Sequence, residues 1–244
     1  MNTERFDGKG DVYAFARPSY PAALFDYLTE KQIISEETVA ADIGAGTGIF
    51  SAALCQYVKK VLAVEPNSDM RAAAAKSDIT WINGTAENTT LADKSADIVT
   101  AAQAFHWFER VAFKKECKRI LKDNGFVVLV WNNKDKESPV IRDCNALFKC
   151  LCPDFKGSSN GFDFEGTAFS DFFESAPERV CFKNHVTLDR EHFIKRQLSS
   201  SFAPKEDEKS FEEFVGGCEM IFEKYQRDGK IIFPYNTLCF YGKV

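Results

Sequence analysis

Along the first half of the chain, short apolar runs alternate with stretches whose apolar residues recur every three or four positions. Val39 to Ile43, Lys60 to Glu65, Ile79 to Ile82, the run beginning at Ser95, and Phe126 to Trp131 have the length and composition of buried strands. Between them, Ala22 to Lys31, Ile49 to Tyr57, Asp69 to Lys76 and Val111 to Lys122 read as helices. The last carries Phe113, Cys117, Ile120 and Leu121 on one face. The punctuation agrees: Pro18 and Pro21 precede the first helix, Asn67 or Ser68 can cap the third, and Asn124-Gly125 ends the fourth. Strand and helix in regular alternation predict an α/β fold with a doubly wound, mostly parallel sheet.

That rhythm breaks after Asn133. Residues 134–178 combine charged segments, a glycine-serine turn and seven phenylalanines: Phe148, Phe155, Phe162, Phe164, Phe169, Phe172 and Phe173. Two readings fit them, a cap that lines the mouth of a pocket or ordinary core packing. Val180 to Leu188 reads as a further strand, and Asp189 can cap the helix after it. Phe211, Phe214, Val215, Cys218, Phe222 and Tyr225 then share one helix face, and Asp228-Gly229 turns the chain into a last strand, Ile231 to Tyr241. No internal repeat or low-complexity linker divides the chain.

Composition narrows the chemistry. A chain of 244 residues can bury a substantial core, and 45% hydrophobic with 27% charged residues is ordinary for a globular protein. The net charge of −5 and the lack of a lysine/arginine block argue against nucleic acid as a partner. Neither a bilayer-length apolar run nor a signal-peptide core is evident, and the eight cysteines are scattered without a Cys-x-x-Cys pair. We therefore expect reduced thiols, a cytoplasmic location, and no membrane partner or metal site. The oligomeric state is not encoded in any pattern we find.

The chain's most informative stretch is Asp42-Ile-Gly-Ala-Gly-Thr-Gly48, where a buried strand meets three glycines and then a helix. Glycine lets a backbone bend sharply and approach a ligand closely, and the amides of the helix start would face that ligand. A dinucleotide fingerprint needs a small residue three places after Gly46, but Ile49 stands there and the extra glycine is Gly48. Glu65, at the end of the second strand, can accept hydrogen bonds from both hydroxyls of a ribose. Gln103-Ala-Phe-His-Trp107 emerges where the fourth strand ends, the edge at which open α/β sheets bind ligands.

Asp-x-Gly-x-Gly-x-Gly after a strand, Glu65, and Gln-Ala-Phe-His-Trp together resemble the class I S-adenosylmethionine (SAM) methyltransferases of the type 11 group. Tyr13-x-x-x-Arg17-Pro-x-Tyr-Pro21 is similar to the N-terminal lid of small-molecule methyltransferases of the trans-aconitate type. The resemblance implies a Rossmann-like sheet of seven strands, mostly parallel, with a late antiparallel strand. It implies one methyltransferase domain over 1–244: lid helices at 1–37, a SAM-binding half at 38–133, a cap insertion at 134–178, and C-terminal strands and a helix at 179–244.

By the same resemblance, S-adenosyl-L-methionine would be the cofactor. Asp42, Gly44, Ala45, Gly46, Thr47 and Gly48 would wrap its methionine part, with Gln103 and Ala104 beside it. Glu65 would hold the ribose, Pro66 and Met70 would border the adenine, and Thr85, Ala86 and Glu87 would complete that rim. Thr85 departs from the pattern, since an acidic residue is usual there. Tyr13 and Arg17 would close over the cofactor, and Arg17, His106 and Trp107 would meet the acceptor, with His106 as the base where one is needed. The implied reaction moves the sulfonium methyl of SAM to a small molecule, with a carboxylate as one acceptor class. A SAM-binding protein without catalysis and an NAD-dependent oxidoreductase are the alternatives.

Overall fold

The computed structural model describes residues 18–74, 78–155, 157, 169, 171–200 and 202–244. Helix α1 (Ala22–Glu30) leads to β1 (Val39–Ile43), α2 (Ile49–Leu54), β2 (Lys60–Val64), α3 (Ser68–Ala72), β3 (Ile79–Ile82) and β4 (Ala96–Ala102). A short 3-10 turn (Phe105–Trp107), α4 (Arg110–Ile120) and β5 (Leu121–Lys134) complete the alternating half. The remainder is α5 (Pro139–Leu151), β6 (Glu178–Lys183), β7 (Val186–Leu188), α6 (Arg190–Leu198), α7 (Phe211–Tyr225), β8 (Ile231–Phe233) and β9 (Tyr235–Gly242).

Seven strands form one sheet in the order β3-β2-β1-β4-β5-β9-β6. β1 to β5 pair parallel, and β9 enters antiparallel between β5 and β6. This is the Rossmann-like sheet with a late antiparallel strand. Side chains alternate across it as the strand period requires. Ala41, Ile43, Leu62, Val64, Val99, Ala101, Val127, Leu129 and Trp131 face one layer with α4, while Ala40, Val61, Ile98, Val128 and Val130 face α1 and α2. Trp131 is fully buried, edge-on to Phe105 with ring centroids 6.3 Å apart. A truncation there would cost about 3–5 kcal/mol.

Several boundaries differ from those read in the sequence. α4 stops at Ile120, and Leu121 already pairs with Ala96 across an irregularity, so Asn124-Gly125 lies within a strand. Leu121 thereby leaves the helix face on which its spacing placed it. The strand read over Val180 to Leu188 is two: β6 joins the main sheet, and β7 turns away to pair with β8. The last strand is likewise interrupted at Pro234, whose ring removes a backbone donor.

A third core lies apart from the sheet. α5 supplies Val140, Ile141, Cys144 and Phe148, and α7 supplies Phe214, Cys218, Ile221 and Phe222; Phe193 of α6 and Phe233 of β8 pack among them. The phenylalanines of residues 134–178 divide between two cores. Phe148 and Phe155 join this helical layer, whereas Phe169, Phe172 and Phe173 fill the main sheet's core beside Phe105 and Phe113. Phe162 and Phe164 lie outside the described residues.

Candidate cofactor and acceptor pocket

The glycine loop joins β1 to α2, and its three glycines have three different reasons to be glycine. All adopt left-handed backbone angles: φ is +69° at Gly44, +58° at Gly46 and +78° at Gly48. A Cβ at Gly44 would stand 2.8 Å from Ala104 Cβ and 3.0 Å from Phe108 Cζ, so this glycine lets the loop seat against the end of β4. A Cβ at Gly48 would meet Trp81 at 2.9 Å, while one at Gly46 would meet nothing within 4 Å. Gly46 therefore borders open space.

Three of the loop amides are used within the fold. Gly44 and Ala45 both donate to Val64 O, at 2.8 and 3.1 Å, and Gly46 donates to Glu65 Oε2 at 2.9 Å. These three amides tie the loop to β2 and the residue after it, and they precede the helix start at Ile49. Asp42, 1% exposed, accepts from Thr100 Oγ1 at 2.8 Å and from Ser51 Oγ, which fastens β1 to β4 and α2. Burial pushes its carboxyl up to about 6, against the lowering effect of those hydroxyls.

Glu65 closes one end of the pocket. Its Oε1 accepts from the Asn67 amide at 2.9 Å, matching the Gly46 contact on Oε2. Burial raises its carboxyl above the ordinary value, and the two amides work against that rise. A carboxylate offers about four lone-pair sites, so two are left for hydroxyl donors. Asn67 also caps α3 through Met70 N at 3.0 Å, which fixes Met70 in the pocket wall.

The cavity these residues border holds about 1100 Å³, its open mouth included. Asp42, Gly44, Ala45, Gly46, Thr47, Glu65, Met70, Gln103, Ala104 and Trp107 all line it, so most residues singled out in the sequence converge. Gln103 takes a left-handed φ of +58°, unusual for a residue with a Cβ, and is held by two contacts. Its amide donates to Val130 O at 2.8 Å and its Nε2 to Asn132 O at 2.9 Å.

Other expected residues are placed elsewhere. Gly48 packs behind the loop against Trp81, and Pro66 is only half-buried outside the lining. Ala86 is buried in the sheet core, and Thr85 is engaged in a turn, where its Oγ1 accepts from Asn88 N at 3.2 Å. Glu87 accepts from the Glu109 amide at 3.1 Å, at the entrance to α4. His106 does not line the cavity. Its Nδ1 accepts from Trp131 Nε1 at 3.4 Å, which uses the lone pair a base would need, and burial lowers its pKa to about 4. Tyr13 and Arg17 lie outside the described residues.

The structure also adds residues to which the sequence assigns no site role. Tyr20, Asn67, Phe108, Asn132, Arg196 and Tyr235 line the same cavity. Asn132 extends from the end of β5 and accepts from Thr237 Oγ1 and Asn184 Nδ2, while its Nδ2 reaches Ser19 O at 3.2 Å. Arg196 is 6% exposed and donates from Nε to the Tyr235 hydroxyl at 2.8 Å. Its helical phase was readable: three residues after the apolar Phe193, it falls on the buried face of α6. Nothing local connects it to a pocket formed mostly before residue 110.

Comparison with known proteins accords with this geometry. A methyltransferase-domain family model matches residues 41–129. An uncharacterised methyltransferase-like protein of Schizosaccharomyces pombe is 28% identical over 244 residues, covering 95% of this chain and 93% of its own. An uncharacterised methyltransferase of Mycobacterium tuberculosis is 35% identical over 138 residues, about half of each chain (56% and 55%). A solved structure from Anaeromyxobacter dehalogenans, assigned there as a candidate type II methyltransferase, superposes with a TM-score of 0.76 at 21% identity, covering 93% of this chain and 97% of that one.

The sheet order, the loop after β1 and the carboxylate after β2 thus define a class I SAM-dependent methyltransferase. The chain carries a methyltransferase domain over residues 41–129, is an enzyme of the transferase class, and uses S-adenosyl-L-methionine. The residues present fit this cofactor. Gly46 leaves room where any side chain would intrude, and Glu65 keeps acceptor capacity for a ribose. Thr47 Oγ1, buried in the lining, has no hydrogen-bond partner among the described residues.

Proposed function

We propose that the enzyme methylates a small molecule bound in the half of the pocket beyond the glycine loop, and that a carboxylate is the favoured acceptor. One observation carries this reading. The cavity that Gln103 and Ala104 line is also walled by aromatic rings (Tyr20, Trp107, Phe108, Tyr235) and by a buried arginine, a setting for a compact acceptor. The net charge of −5 supports a small acceptor over nucleic acid. Eight cysteines, all free thiols, support a reducing cytoplasmic setting, and no described helix is long and apolar enough to cross a membrane. We further read the chain as one domain in which the cap expected at residues 134–178 contributes α5 to a helical layer completed by α6 and α7.

In this reading Glu65 would hold the ribose hydroxyls, Met70 would border the base, and the stretch from Gly44 to Thr47 with Gln103 would hold the amino-acid part. The bound cofactor supplies an electrophilic methyl group on a positively charged sulfur. The pocket's own work is to orient the nucleophile and exclude water, since alignment alone accounts for a large share of the rate in such displacements. A carboxylate is already ionised at neutral pH and needs no base, which agrees with His106 being engaged by Trp131.

The test is label transfer from methyl-labelled SAM into a fractionated cell extract. We expect label in the low-mass fraction, released by mild base as a methyl ester would be. Label confined to protein or nucleic acid would refute the small-molecule reading, and base-stable label would refute the carboxylate.

A further inference from the structure

The charges along the pocket are unevenly distributed. Among the described lining residues, the carboxylates Asp42 and Glu65 belong to the ends of β1 and β2, whereas the cation, Arg196, comes from α6. Tyr235, which bonds Arg196, opens β9 and pairs in register with Lys134, the last residue of β5. β9 is three neighbouring-strand steps from β1, roughly 14 Å at the usual strand spacing. The strand that carries the partner of Arg196 is therefore well separated from the strand that leads into the glycine loop.

Its orientation is fixed. Nε donates to the Tyr235 hydroxyl at 2.8 Å and a terminal nitrogen to Ser199 Oγ at 3.3 Å, with the guanidinium carbon 5.8 Å from the Tyr235 ring centre. Phe193, one helical turn earlier, is fully buried in the third core and anchors the helix from which the arginine extends. A guanidinium held at a set angle in a pocket wall is a planar fork matched to a carboxylate.

We propose that Arg196, oriented by Tyr235, anchors a carboxylate on the acceptor at a point remote from the atom that is methylated. The inference rests on the small-molecule reading above and adds to it. The acceptor then has two functional ends: an anionic anchor at the helical layer and a nucleophile beside Gln103 and Ala104. Arg196 selects the acceptor and leaves the cofactor alone.

Titration calorimetry on the full chain tests this, with glutarate and phenylacetate as probes and their amides as neutral controls. Each is titrated with and without saturating S-adenosylhomocysteine, the demethylated cofactor. We expect the acids to bind at least tenfold more tightly than the amides. Arg196→Gln should weaken the acids at least tenfold while S-adenosylhomocysteine affinity stays within twofold. Arg196→Lys should restore part of the loss, and Tyr235→Phe should weaken the acids about threefold; these two carry the test if Arg196→Gln does not fold. Four results would overturn the proposal: no acid binding by the wild type, acid binding unchanged in Arg196→Gln, inorganic phosphate binding more tightly than either acid, or an equal loss of S-adenosylhomocysteine affinity. Failure of S-adenosylhomocysteine to bind the wild type would instead refute the cofactor reading, and the acid titrations without it would still judge Arg196.

Discussion

The two ends of the pocket are built on different principles. At the β1–β2 end, every group is within a few residues of a strand terminus, and the backbone itself forms the wall: Gly46 N on Glu65, Gly44 and Ala45 on Val64. At the other end, the wall is assembled from side chains far apart in sequence, Asn132, Arg196 and Tyr235, carried by β5, α6 and β9. A backbone-built site tolerates few changes, because each amide also holds the fold. A site built from side chains on a separate helical core can vary one residue at a time. Under the proposed function, the difference separates a fixed cofactor from an acceptor that can change.

Substitutions should reveal this contrast, and the largest effect belongs to Gly44→Ala. Left-handed strain of about 1–2 kcal/mol adds to overpacking of about 1–3 kcal/mol against Ala104 and Phe108. Thermal or urea unfolding should show the sum. Gly46→Ala faces open space, so only the strain should appear in stability while cofactor affinity falls at least tenfold. Equal stability losses in the two variants would contradict this division of roles.

Asp42 gives the next largest effect, through pH. Its carboxyl titrates near 6 in the folded chain and near 3.8 in the unfolded one, so the native state holds the proton longer. Stability from this group therefore falls as pH rises from about 4 through 6, by about 3 kcal/mol in total. Asp42→Asn should gain stability over the wild type at pH 7.5 and none at pH 4. Glu116, in the scaffold, has the opposite sign. Burial raises its carboxyl, but bonds from Arg119 and Thr89 outweigh that and hold it at about 2, so its contribution is lost only as pH falls from 4.5 toward 2. Urea unfolding across pH distinguishes the two.

Glu65→Ala should weaken SAM binding by about 1.5–3 kcal/mol, the worth of a hydrogen bond to a charged group, as calorimetry would show. His106→Ala should have the smallest effect. With its pKa near 4, the wild-type rate of label transfer should show no histidine inflection between pH 5.5 and 8, and the variant's profile should have the same shape. An inflection that disappears in the variant would restore His106 as a base.

What the sequence revealed follows the same division. Parallel strands buried on both faces leave long apolar runs, and a glycine loop has a fixed register, so β1 to β5, the loop and Glu65 were legible. In the segment after β3, read as a ligand rim, the Ala86 side chain goes to the core and the Thr85 hydroxyl to a turn, destinations that a single sequence does not display. The phenylalanines of residues 134–178 were readable as apolar but not by destination, since hydrophobicity does not say which of two cores receives a residue. Arg196 was hidden for another reason. Its partner Tyr235 lies 39 residues away, and their meeting depends on how α6 packs over β9.

The most direct test is calorimetric titration of S-adenosylhomocysteine and NAD into the wild type, Gly46→Ala and Arg196→Gln. The division of the pocket requires S-adenosylhomocysteine to bind the wild type and Arg196→Gln alike, to bind Gly46→Ala at least tenfold more weakly, and NAD to bind none. Loss of binding in Arg196→Gln with retention in Gly46→Ala would contradict it.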